Sequence, residues 1–136
     1  MDVQRVVEAL NQALAQELAA VVQFYWHNVL ATGAASSALR DRWKQMSIAH
    51  MRHAEELAER IDHFEGVPTT QPFEIRLGKN LEEMIANDAA LQEELVKNYR
   101  GYLDICREDP VTRELLTRLL RDEEQFLDEI QSWQGE

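Results

Sequence analysis

Cysteine, proline, glycine, basic residues and long apolar runs are all scarce in this chain. The one cysteine, Cys106, excludes an internal disulfide and fits a reducing compartment. Only three prolines and five glycines occur in 136 residues, and a composition that is 45% hydrophobic and 29% charged suits a helical globular protein. Fourteen Lys and Arg against twenty-five Asp and Glu give a net charge of −11, which argues against nucleic acid as a partner. No stretch has the length needed to span a membrane. The opening Met-Asp-Val-Gln-Arg has an early acid and no apolar run, so it is not a secretory signal, and a cytoplasmic location is expected. No Ser or Cys shares a seam with a base, and no glycine-rich phosphate loop is present, so nucleophilic and nucleotide chemistry have no support.

What the chain does have is helical periodicity. From Val3 to about Ala31, the residues Val3, Val7, Leu10, Leu14, Glu17, Val21 and Tyr25 recur at spacings of three and four, with Asp2 as N-cap and Gly33 as terminator. A second helix, which Ser36 or Ser37 can cap, carries Leu39, Trp43, Met46, His50, His53, Leu57, Ile61 and Phe64 on one seam and is closed by Gly66. Residues 66–79 hold Pro68, Pro72 and Gly78 and little periodicity. They predict a long crossover, with Phe73, Ile75 and Leu77 packing as an extended strap. Asn80 with Glu83 starts a third helix, which runs to about Arg107, and Asp109-Pro110 starts a fourth. One domain over residues 1–136 is expected: an all-α antiparallel four-helix bundle with one crossover between helices 2 and 3.

Four polar residues interrupt these apolar seams. Glu17, His50, His53 and Glu123 each lie near the middle of a helix, and antiparallel helices bring their midpoints to one level. A buried carboxylate or imidazole is costly unless it is paired or coordinated. Two imidazoles with two carboxylates form a reasonable donor set for iron(II), zinc or manganese. The bland alternative is two charge-assisted pairs, Glu17 with His53 and Glu123 with His50, and no metal. His27 and His63 fall off the seams and are expected at the surface or its boundary.

The residues Gln16-Glu17-Leu18 through Gln23-Phe24-Tyr25-Trp26-His27, Met51-Arg52-His53-Ala54-Glu55, Asn87-Asp88, Lys97-Asn98 and Asp122-Glu123-Glu124 occur in the order found in bacterioferritins. The chain resembles that ferritin-like family over nearly its whole length. The resemblance implies iron homeostasis and a ferroxidase centre of two irons, but the ligands match unevenly. Glu17 and His53 fall on the terminal ligands of the first iron, and Glu123 on a bridging carboxylate. His50 replaces the other bridging carboxylate, while Gln92 and Phe126 stand where the second iron's carboxylate and histidine would be. Glu93 and Glu94 point away from that stripe. A single metal position and impaired ferroxidase activity are therefore expected.

Met51 falls on the family's haem-binding methionine and sits about 100° round the helix from His50, facing out of the seam. The resemblance thus implies a possible haem between two subunits. The chain ends at Glu136 without residues for the family's fifth helix, so a homodimer or other homo-oligomer is expected in place of a 24-subunit shell. The competing expectation is a dimeric scaffold whose structural metal or intersubunit haem has no redox turnover.

Overall fold

The first N–H groups of a helix need acceptors from outside it, and three short acids and amides supply them here. In the computed structural model, which describes residues 1–134, the helices are α1 (Val3–Leu30), α2 (Ser37–His63), α3 (Leu81–Ile105) and α4 (Pro110–Gln134). Gly135 and Glu136, the last residues of the sequence given, lie outside the described residues. Asp2 accepts from the Arg5 N–H at 3.1 Å and Asn80 from the Glu83 N–H at 2.9 Å, as their sequence positions predict. Asp109 receives the Thr112 N–H at 3.3 Å. Ser36 does not cap α2 with its side chain: its hydroxyl donates back to the Thr32 carbonyl.

The end of α2 also differs from the expected glycine stop. Glu65 takes the left-handed conformation, at φ 63°, while the Gly66 N–H closes back on the Ile61 carbonyl. Gly66 is required for another reason, since a Cβ there would stand 2.8 Å from Val7 Cγ1. The chain therefore leaves α2 pressed against α1.

Hydrogen bonds give the direction of the crossover. The Asn11 side chain holds the Val67 carbonyl and the Thr69 N–H, the Phe73 N–H reaches the Ala15 carbonyl, and the Arg76 N–H reaches Gln23 Oε1. The Gly78 N–H approaches His27 Nε2 at 3.4 Å. Numbers ascend together on both sides, so the strap runs alongside α1 in the same direction. α2 lies antiparallel to α1, with the Ser47 hydroxyl on the Val21 carbonyl, so the strap returns the chain to the end where α2 began. Phe73 and Leu77 remain exposed, and the strap is held by polar contacts more than by the apolar alternation expected of it.

Two hydrophobic clusters fill the bundle. One gathers Leu10, Leu57, Tyr99 and Leu116, and the other Phe24, Trp43, Met84 and Ile130. The inward face of α1 is rotated from the predicted stripe: Val3 and Tyr25 are exposed, while Val6, Ala13, Ala20, Phe24 and His27 are buried. A strict seven-residue repeat drifts by about 20° per heptad against a straight helix, and small alanines hid the true face. His27, expected near the surface, is fully buried beside Asp88 at 2.8 Å, with Gln23 donating to the same carboxylate at 2.8 Å. This triad ties α1 to α3, and through Arg76 and Gly78 to the strap. Among the described residues, no helix is long and apolar enough to cross a membrane.

Replacing Asp88 by Ala strands two buried partners and loosens the strap. The expected cost is about 3–5 kcal/mol, read as a lower urea midpoint, with Asp88→Asn losing less. Equal midpoints for the wild type and Asp88→Ala would contradict this role.

Candidate metal centre

Between the two apolar clusters lies a polar layer of Glu17 from α1, His50 and His53 from α2, and Glu123 from α4. Glu17, His50 and Glu123 have no exposure and His53 has 3%. One ligand atom from each lies within 4.8 Å of the others, so the level deduced from helix midpoints is where these side chains meet. The shortest contacts pair His50 Nδ1 with Glu17 Oε1 at 2.6 Å and His53 Nδ1 with Glu123 Oε1 at 2.7 Å. This reverses the pairing given above for the metal-free alternative. The opposite combinations are longer, at 3.3 Å each, which makes the four groups a closed ring of alternating acid and imidazole.

Neighbours hold the two acids in place. The Tyr99 hydroxyl donates to Glu17 Oε2 at 2.5 Å, and the Gln92 amide donates to Glu123 Oε2 at 2.6 Å and to the Glu123 carbonyl at 3.0 Å. Burial, with Glu17 beside it, pushes the Tyr99 hydroxyl well above its usual range, so it stays a donor. Phe126 packs against both imidazoles, with centroids 5.5 Å from His50 and 6.5 Å from His53. Glu93 and Glu94 are exposed and take no part, as expected. Met51 is half exposed on the outward side of α2, away from the ring.

The histidines differ in their second nitrogens. His53 Nε2 faces Asp122 Oδ2 at 3.0 Å, so both of its ring nitrogens meet carboxylates and both donate. His50 Nε2 is buried against Phe24 and Phe126 and has no partner among the described residues. In the sequence Asp122 stands only within the Asp122-Glu123-Glu124 resemblance, and Tyr99 is not singled out. The available signal was that Asp122 flanks a seam residue and that Tyr99 sits two turns beyond Gln92 on the same face.

Electrostatics favour the charged ring. Burial opposes charge on both imidazoles, but Glu17 and Glu123 overcome it and raise His50 to about 10 and His53 to about 11. Burial would likewise raise Glu17, yet His50 and His53 hold it at about 2. Two imidazoliums then face two carboxylates and the layer is neutral. A cation could take the place of the two ring protons, because both Nδ1 atoms turn inward. A carboxylate on the far nitrogen, as Asp122 is for His53, is the usual support for a metal-binding imidazole.

The pH dependence of the metal-free protein follows in sign. A raised histidine pKa stabilises the fold fully below the unfolded value of about 6.5, and that support is lost as pH rises toward 10–11. The lowered Glu17 contributes above about 4.5 and fades as pH falls toward 2. Melting temperature in chelator should thus decline from pH 6.5 to 9.5, and decline less when both histidines are replaced by Gln. A flat wild-type profile would count against the charged ring.

Comparison with known proteins agrees with this architecture. The ferritin-like domain family matches residues 7–136. A bacterioferritin of Brucella melitensis is 34% identical over 131 residues, covering 94% of this chain and 81% of the relative. The bacterioferritins of Mycolicibacterium paratuberculosis and Rhodobacter capsulatus are 30% and 31% identical, with 93% and 94% of this chain covered and 82% and 81% of theirs. With four helices, one long crossover and similarity along almost its entire length, the chain belongs to the ferritin-like family, among the bacterioferritins.

Proposed function

We propose that this protein serves iron homeostasis by holding one divalent cation per subunit at Glu17, His50, His53 and Glu123, with the paired oxidation of two irons lost. The observation that carries this reading is the charge balance of the buried ring. Two carboxylates offset two imidazolium protons, and they equally offset one divalent cation on neutral imidazoles. Binding exchanges two protons for one ion and leaves the layer neutral in both states. A second divalent ion would add two uncompensated charges to an interior that tolerates none.

The surroundings support the same count. Gln92 presents an N–H to Glu123 and keeps only a neutral, unpartnered amide oxygen for a cation, and Phe126 fills space beside both rings without offering a donor atom. Iron held by Glu17, His50, His53 and Glu123 would supply one-electron redox chemistry. The protein's own residues orient the donors: Tyr99 fixes Glu17, Gln92 fixes Glu123, and Asp122 fixes His53 in the tautomer that frees Nδ1. His50 has no such support, so its far N–H faces an apolar wall, and it should be the weaker ligand. Zinc or manganese fits the same donors. The lone buried Cys106 accords with a cytoplasmic location.

Titration of metal-free protein with Co(II) or anaerobic Fe(II) should saturate at about one ion per subunit and release about two protons. Apparent affinity should rise by about 100-fold per pH unit below pH 9, and His53→Ala should weaken it more than His50→Ala. Saturation at two ions, with rapid oxygen consumption at that ratio, would contradict the proposal. Proton release near zero would contradict the exchange.

A second reading concerns the outer face of α1 and α2. Trp26, Val29, Leu30, Ile48 and Met51 are 44–59% exposed there, more apolar side chains than a face in water needs. We infer that a second copy covers this face in a homodimer, with Met51 at or near the seam, where a haem could take its thioether as a ligand. Haem added to the dimer should give a Soret band that Met51→Ala abolishes. A dimer with no Soret band would leave Met51 as an interface residue only.

A further inference from the structure

Glu17, His50 and Glu123 have no exposure, yet a cation must reach them from water. His53 is the exception among the four, and its Nε2 meets Asp122, whose side chain is 44% exposed. This contact lies in the seam between α2 and α4, which pack less closely than the other neighbouring helices. Ion pairs clamp the seam at three levels. Arg42 grips Glu129 at 2.6 and 2.7 Å, Arg118 grips Glu56 at 2.7 and 3.0 Å, and Arg60 holds Asp109 at 2.8 Å. His53 and Asp122 meet between the first two clamps, and this contact of a 4% exposed ring with a 44% exposed carboxylate, rather than an open cavity, is the window.

We propose that cations reach the ring through this window, with Asp122 as the receiving carboxylate and Arg118 as the charge that slows them. The proposal rests on the single-cation reading of the ring. Asp122 and Glu123 are adjacent on α4, so an ion held by Asp122 stands one imidazole away from the buried donors. Rotation of the His53 ring about its Cβ–Cγ bond moves a nitrogen between the Asp122 side and the ring side. Arg118 lies one turn before Asp122 on α4, and its charge interacts with both Asp122 and Glu56. Glu56 is three residues beyond His53 and interacts with it in turn. The window therefore has an acid at its centre and a guanidinium on its rim.

The competing route is the cavity of about 170 Å³ between α1, the crossover and α3, lined by Gln16, Gln23, Arg76, Leu91 and Glu94. It touches the sequence neighbours of Glu17 and Gln92 but not those residues themselves. The Tyr102 hydroxyl also ties up Gln16 on its inner side at 2.9 Å.

Stopped-flow mixing of Co(II) with the metal-free full chain separates the routes, with visible absorption reporting binding and equilibrium titration run alongside. Asp122→Asn should slow association on the order of tenfold and flatten its dependence on ionic strength. Arg118→Gln should speed it about threefold. Glu94→Gln should leave it unchanged. If Asp122 only positioned His53, its variant would change dissociation and affinity while association and its salt dependence stayed as in wild type, and the port would be refuted. Slowing by Glu94→Gln instead would move the route to the crossover side. Normal cobalt affinity with unmoved association rates overturns the port alone, whereas a wild-type chain that gives no cobalt spectrum overturns the single-cation reading as well.

Discussion

Charge removed from water has to be cancelled where it is buried, and the middle layer of this bundle is arranged around that requirement. Two acids and two imidazoles from three helices form a ring in which each acid touches both imidazoles. Apolar clusters above and below keep water out, so the ring is either neutral or very costly. Neutrality can be reached with two protons or with one divalent ion, and the donors around it suit both. The single-site function proposed for this chain is a consequence of that balance.

The same requirement accounts for what surrounds the ring. In this chain Gln92 gives an N–H to Glu123, and Phe126 gives bulk without charge. Phe126 offers no donor atom and Gln92 only a neutral amide oxygen, buried without a partner among the described residues, while its N–H keeps Glu123 satisfied. Elsewhere in the core, Asp88 is answered by His27 and Gln23, whose outer atoms meet the backbone of the crossover. Buried polarity thus has two uses in one fold. One cluster fastens the strap that sets the helix order, and the other offers donors at a common level.

Much of this was legible in the sequence. The seam of α2, the capping residues Asp2 and Asn80, and the Pro110 start needed only local rules, and the long crossover followed from its prolines. Glu17, His50, His53 and Glu123 could be placed at one level because each stands near the middle of a helix. The misreadings have physical causes. On α1 five of the thirteen buried residues are alanine, so the larger residues Val3 and Tyr25 at its edges read as core and His27 as surface. Which acid pairs with which imidazole depends on side-chain rotamers, which spacing along a helix does not specify. Asp122 and Tyr99 carry only a weak local signal, because their partners come from neighbouring helices.

The central claim is one cation in a neutral ring, and crystals of the protein soaked with Fe(II) under anaerobic conditions test it most directly. Anomalous scattering should give one peak per subunit, about 2.0–2.2 Å from Nδ1 of His53 and a carboxylate oxygen of Glu17 and of Glu123. Two peaks about 3.5 Å apart would contradict the account.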